Sequence, residues 1–185
     1  MQYLVFLLEE PSAREMLKGF LPQILGSEIQ VKYIVFEGKQ DLEKQLQRKL
    51  QAWQQPETAF VVLRDQDSGD CQQIKQSLIL KCQQAGKPHT MVRIACRELE
   101  SWYLGNLAAV EQALELSHLA RHQLNRKFRN PDQLHNPAKE LIQITSQRYQ
   151  KVSGSRKIGP FLNSPNQSHS FNVFVAGIKH LLDIQ

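Results

Sequence analysis

No apolar run in this sequence is long enough to cross a bilayer: the longest near the amino terminus, residues 3–8, falls far short of the roughly 20 residues a spanning helix needs. That run also lacks the basic lead and small-residue cleavage site of a signal peptide, so the expectation is a cytoplasmic protein with no membrane partner. Cysteine is scarce. Cys71, Cys82 and Cys96 are odd in number and match no zinc spacing, and they read as free thiols in a reducing compartment. There is no GxxxxGK[ST] loop, no HExxH, no GxSxG elbow and no evident Cys–His pairing, which argues against P-loop nucleotide hydrolysis, zincin chemistry and serine-hydrolase chemistry. The six histidines form no compelling ligand set, although His118 and His122 would lie one turn apart on a helix. Internal repeats and low-complexity tails are missing too.

What is present is ordinary in bulk. The 185 residues are 41% hydrophobic and 22% charged, which is the profile of one soluble globular domain. A net charge of +5 and a pI near 9.2 fit a polyanionic partner without establishing one, because Lys and Arg gain affinity by releasing phosphate counterions.

Apolar runs alternate with amphipathic stretches over the first half of the chain. YLVFLLE reads as a buried parallel strand ending in carboxylates, and Pro11 and Ser12 then open a helix with Met16, Leu17, Phe20, Leu21, Ile24 and Leu25 in step, closed by Gly26. IQVKYIVF is a second strand, residues 41–53 a second helix with Leu42, Leu46 and Leu50 in step, and AFVVL a third strand. A helix over residues 71–85, a turn at residues 86–88 and the strand MVRIAC complete the alternation. The expected fold is α/β: a doubly wound, mainly parallel four-stranded sheet in residues 1–97, carrying a mainly helical extension in residues 98–185, within one domain. In the extension, ESWYLGNLAAVEQAL, the basic stretch 118–129, PAKELIQITSQRYQK and FNVFVAGIKHLLDI are helical candidates, whereas the Ser-, Gly- and Pro-rich residues 153–170 read as a loop.

Ligands of open α/β sheets bind beyond the carboxyl ends of the strands, and here those ends are acidic. Glu9 and Glu10 follow the first strand, Asp65, Asp67 and Asp70 the third, and Glu98 and Glu100 the fourth. Carboxylates brought to one edge repel each other unless a cation or a shared proton compensates them. An oxygen-only set suits Mg2+ or Mn2+. The DQDSGD run also reads as a simple turn with a helix cap, Glu98 as a charge satisfying a helix dipole, and Trp102 as core.

The blocks LLEEPSARE, EGKQDL, VVLRDQDSGDC, RIACRELESWYLGN, RNPD, RYQK and SHSF, in this order, resemble a family of small stand-alone TOPRIM-like proteins, similar in their sheet to the nuclease domain of the OLD (overcoming lysogenisation defect) proteins. The resemblance covers nearly the whole chain. It implies an acid/base or metal-binding role for Glu9 and metal coordination by Asp65 and Asp67. Glu10 stands where most TOPRIM proteins have Gly, which leaves Glu9 and Glu10 as alternative ligands and argues against a primase or topoisomerase. It also implies a Mg2+- or Mn2+-dependent nuclease acting on DNA, with a separate ATPase subunit and a setting in mobile-element defence.

The candidate residues on these grounds are Glu9, Glu10 and Lys151 for catalysis, and Glu9, Asp65, Asp67, Asp70, Glu98 and Glu100 for metal. Lys139, Arg148, Arg156 and Lys157 are candidates for nucleic-acid contact, with Ser168, Ser170 and Asn172 as nearby polar groups. The alternative expectation is a non-catalytic sheet that binds an ATPase or a nucleic acid, and a third is an enzyme acting on a small nucleotide.

Overall fold

The computed structural model describes residues 2–183. Among these, four strands form one parallel sheet in the order β2-β1-β3-β4: β1 (Gln2–Leu8), β2 (Ile29–Val35), β3 (Thr58–Asp65) and β4 (Met91–Ala95). The two central strands read as unbroken apolar runs because helices cover both faces of the sheet. Leu4, Phe6, Leu8, Val61 and Leu63 point to one core, and Val5, Leu7, Phe60 and Val62 to the other. The second core is closed by α2 (Lys39–Gln51), through Leu42, Leu46 and Leu50, and by α3 (Cys71–Gln84), through Leu78 and Cys82. α1 (Pro11–Phe20) lies on the first face, its Met16, Leu17 and Phe20 buried. It ends at Phe20 rather than near Gly26, since Pro22 tightens the chain into a 3-10 turn over Leu21–Gln23.

Residues 98–185 contribute five α-helices among the described positions, and all pack on the first face. They are α4 (Glu100–Leu104), α5 (Leu107–Ala113), α6 (Pro137–Ile144), α7 (Lys151–Ile158) and α8 (His169–Leu181). The expected helix over ESWYLGNLAAVEQAL is two helices. Asn106 leaves the helical region and caps α5 by accepting from the Ala109 N–H at 3.1 Å. A Cβ at Gly105 would collide with Asn166, whose amide donates to the Trp102 carbonyl at 3.0 Å. PAKELIQITSQRYQK also breaks, because Ser146 and Gln147 adopt left-handed φ of 50° and 63°. Residues 120–124 and 126–128 are 3-10 turns, not an α-helix. At the carboxyl end the helical expectation is met over His169–Leu181, and its final residue, Ile184, lies outside the described residues.

The loop expected over residues 153–170 is corrected at both ends, since residues 153–158 lie in α7 and His169 and Ser170 in α8. KVSGSRKI is a helix, and its small residues serve packing rather than flexibility. A Cβ at Gly154 would meet the Tyr149 ring at 2.5 Å, and Ser155 donates to the Lys151 carbonyl at 2.5 Å. α7 lies against α1, where Arg156 Nε donates to Glu15 Oε2 at 2.7 Å, with Arg14 and Lys18 at the other oxygen. The hydrogen bond from Arg156, then that from Arg14 and the nearby Lys18 charge, outweigh burial and hold Glu15 down at about 2, from 4.5. Its contribution is therefore complete above about pH 4.5 and fades as pH falls towards 2. Glu15→Gln should cost about 1 kcal/mol at pH 7, kept small by solvent around Arg156, and nothing at pH 2. Urea denaturation at the two pH values measures this; an equal loss at both would mean that packing, not charge, is what the substitution removes.

Candidate functional site

The carboxyl edge of the sheet gathers two groups of charges, one on each side of it. On the side of α2, Glu9 Oε2 accepts the backbone N–H of Asp65 at 3.0 Å and lies 3.8 Å from Arg64 Nε. Arg64 is buried and also pairs with Glu43 on α2. Burial raises the Glu9 carboxyl above its ordinary value; the Asp65 N–H opposes this, and Asp67 adds to it. Asp67 itself pairs with Lys39 at 2.8 Å, and that hydrogen bond pushes the Lys39 ammonium upward.

The opposite side carries the deeper group. Asp65 is 8% exposed, and Glu100, in the first turn of α4, is fully buried. Glu100 Oε1 accepts from the Tyr149 hydroxyl at 2.8 Å, while Oε2 is buried with no hydrogen-bond partner among the described residues. Burial raises both carboxyls, Asp65 well above its ordinary range, with Glu10, Glu100 and Glu9 adding repulsion at Asp65. Among the described residues the ammonium paired here is that of Lys151, whose Nζ lies 2.6 Å from Glu10 Oε2. Burial works against its charge, but the bond to Glu10 and the fields of Glu10, Glu100 and Asp65 push it above the usual lysine range. Glu10 is held from its other oxygen by the Ser12 hydroxyl at 2.5 Å.

Two left-handed residues face each other across the sheet edge. Asp67 at φ 55° donates its N–H to the carbonyl of Arg97, at φ 63°, over 2.7 Å. Asp tolerates such backbone and Arg does so rarely, so the cost falls on Arg97; the bond ties the turn after β3 to the turn after β4. A cleft of about 420 Å³ opens beside them, lined by Asp67, Ser68, Arg97, Glu98, His135 and Asn136.

Not every expected residue reaches this edge. Asp70 caps α3, accepting the Gln73 N–H at 2.8 Å. Glu98 closes the first turn of α6, accepting the Ala138 N–H at 2.8 Å, the kind of helix-end role its alternative reading described. Ser168 caps α8, and Ser168 and Ser170 are tied to Asp132 at 2.6 and 2.8 Å. Ser170 also accepts from Trp102 Nε1 at 2.9 Å, so the RNPD, SHSF and ESWYLG blocks form one structural lock. Asn172 accepts the Asn166 N–H at 2.9 Å. Lys139 and Lys157 are exposed, Arg148 reaches the Glu115 carbonyl at 3.4 Å, and Arg156 is committed to Glu15. Lys39, Arg64 and Tyr149 are the participants that reading strand ends alone did not single out. EGKQDL does place Lys39 just beyond the second strand, and RYQK carries Tyr149 two residues before Lys151.

Among the described residues no three His, Cys, Asp or Glu side chains converge on one point as they stand. Their chemistry nonetheless fits a hard cation, since Glu100 Oε2 is an orphaned buried oxygen beside a second buried carboxyl, Asp65. Among the described residues no helix is long and apolar enough to cross a membrane.

No curated protein matches the chain. Among solved structures it is similar to the C-terminal region of the Burkholderia pseudomallei OLD protein, at 15% identity and a TM-score of 0.58, over 97% of this chain and 96% of that one. That likeness shows the fold, a TOPRIM-like α/β sheet with flanking helices. A family model described as a domain of unknown function, DUF4276, matches residues 8–179, and the chain belongs to that family.

Proposed function

We propose that the chain is a Mg2+- or Mn2+-dependent phosphodiesterase acting on nucleic acid, in the first instance DNA. The observation that carries this reading is the surplus of buried carboxylate at the sheet's carboxyl edge: Asp65 and Glu100 are both buried, and among the described residues one oxygen of Glu100 has no partner and Lys151 alone supplies an ammonium paired with the group. A buried charge left uncompensated is strongly destabilising, so such an edge is suited to taking up a cation. Glu10, Asp65 and Glu100 would hold it, with Glu9 and Asp67 at the flank. The ion would supply charge neutralisation at a phosphoryl oxygen and an acidified water. The chain's own groups supply the rest. Tyr149 orients Glu100, and the Lys151 ammonium stands ready to steady a developing negative charge. Glu9, raised by burial, is suited to moving a proton. Lys139 and Lys157 remain candidates for the polymer backbone, while Arg148 and Arg156 already have partners.

A second reading is a non-catalytic sheet that binds an ATPase subunit or nucleic acid. The Lys151–Glu10 pair favours it, because that ammonium already neutralises one carboxylate of the group. Calorimetry with Mn2+ on the wild type and on Asp65→Ala/Asp67→Ala, followed by incubation with plasmid and single-stranded DNA, separates the two. Binding and cleavage that both vanish in the double variant are the expected result. A folded wild type that takes up no metal, with or without DNA, would leave the binding role standing.

A further inference from the structure

We propose that residues 119–129 form a duplex-DNA contact in which Leu124 enters a base step and Arg121, Arg126 and Arg129 hold the flanking phosphates. The choice of ligand rests on the nucleic-acid reading above; the placement of the contact rests on this segment alone.

Leu124 is 81% exposed, the most open of the large apolar side chains among the described residues, where the next, Leu80, is 56% exposed. It is held out by its neighbours. Leu119 and Phe128 are buried in the core on either side. Gln123 donates to the carbonyls of Leu104 and Phe128, both at 3.1 Å, and accepts the Leu107 N–H at 2.8 Å. Asn125 bonds the His122 ring at 3.2 Å, and Glu111 accepts the Ala120 N–H at 2.8 Å. A segment anchored this often projects its remaining side chains as a fixed set.

Those side chains are cations around one apolar tip. Arg121, Arg126 and Arg129 are exposed, and among the described residues none of the three has an ion pair or side-chain hydrogen bond. Lys127 is the exception, paired with Glu140 at 2.5 Å. Residues 118–157 hold nine Lys or Arg against two Asp or Glu, so the basic character of the chain is concentrated here. An apolar side chain that unstacks a base step, flanked by arginines, is a recurrent way of gripping and bending duplex DNA.

The segment is also linked, through α6, to the turn that follows β4. Lys127 pairs with Glu140 on α6, two residues beyond Ala138, whose N–H is held by Glu98. Two residues are roughly 3 Å of helix rise, so both contacts fall in the first turns of α6.

The test is fluorescence anisotropy on a labelled duplex with EDTA present, so that binding is read without metal or cleavage, over a range of NaCl. Arg121→Gln/Arg126→Gln/Arg129→Gln should lower the slope of log K against log salt by about 2 to 3, with roughly a hundredfold loss of affinity near 0.1 M salt. Leu124→Ala should leave that slope unchanged, weaken binding about fivefold to tenfold, and abolish the rise in 2-aminopurine fluorescence that reports an unstacked base. An unaltered slope in the triple variant, an unaltered 2-aminopurine signal in Leu124→Ala, or binding by the wild type confined to single strands would each overturn the proposal. Plasmid cleavage by both variants at the wild-type rate would also overturn it while leaving the phosphodiesterase reading intact. A wild type that binds and unstacks the duplex in EDTA yet never cleaves it with Mn2+ would do the reverse.

Discussion

Asp65→Asn is expected to raise the melting temperature of the metal-free protein at pH 8 by a few degrees while abolishing metal-dependent cleavage. The Asp65 carboxyl is buried, and burial together with Glu10, Glu100 and Glu9 pushes it well above its ordinary range. An amide of the same shape removes the titrating group and brings a donor into a cluster in which one oxygen, Glu100 Oε2, has no partner among the described residues. The relief should amount to about 2 kcal/mol, the scale of a polar group released from an uncompensated buried site. At roughly 2 to 4 °C per kcal/mol for a chain of this size, the shift is readily measured.

The pH dependence has the opposite sign to that of Glu15. Unfolded Asp65 loses its proton near 3.8, and the folded protein holds on to it until higher pH, so the unfolded state binds fewer protons across that interval. Metal-free wild type should therefore lose stability as pH rises from about 3.8 through the raised folded value, and the Asn variant should lose less. Thermal melts at pH 5 and pH 8, each with and without Mn2+, provide the measurement. Mn2+ should restore the wild type and leave the variant unmoved. An Asn variant less stable than wild type at pH 8 without metal would show that Asp65 is already compensated, and the surplus-charge argument would fall with it.

Trp102→Ala should cost about 3 to 5 kcal/mol, the range for deleting a large buried aromatic side chain. The indole is fully buried, its centroid 5.3 Å from that of Phe171 and 5.0 Å from that of Phe174, and its N–H donates to Ser170. Ser170 also accepts the Cys96 N–H at 3.3 Å, so the loss loosens the turn that follows β4 as well as the core. Trp102→Phe keeps most of the volume and removes only the donor, and should cost about 1 to 2 kcal/mol. Urea denaturation of the three proteins tests the pair. Equal costs for the two substitutions would assign the role of Trp102 to its hydrogen bond rather than to its bulk.

The sheet was legible because its signal is local. A continuous apolar run bounded by carboxylates, such as YLVFLLE, has few alternatives to a buried parallel strand, and all four strand expectations coincide with strands here. The extension was less legible because its boundaries are set by contacts distant in sequence. Residues 153–158 have the composition of a loop, yet Gly154 and Ser155 permit the close approach of Tyr149, which no window of sequence displays. Reading strand ends also located the acidic edge but not its internal partners. Arg64 lies inside a strand and Tyr149 in a turn, and each finds its carboxylate only through the fold. Asp70 and Glu98 show the limit of the same method, since a carboxylate after a strand is as useful to a helix N-terminus as to a cation.

The bond from Ala138 to Glu98 spans 40 residues of chain and brings the start of α6 back to the turn after β4. What lies between leaves near Gly105 and returns at Ala138, both points fixed by hydrogen bonds of their own, and Asp132 pins it on the way to the start of α8. Its outward side chains, such as Arg121, Leu124 and Arg126, are separate from its inward ones, such as Leu107, Val110, Leu119 and Phe128, which belong to the core. On the phosphodiesterase reading, exchanging those outward positions alone, with the inward ones and Asp132 kept, is the way to redirect the centre to another polymer.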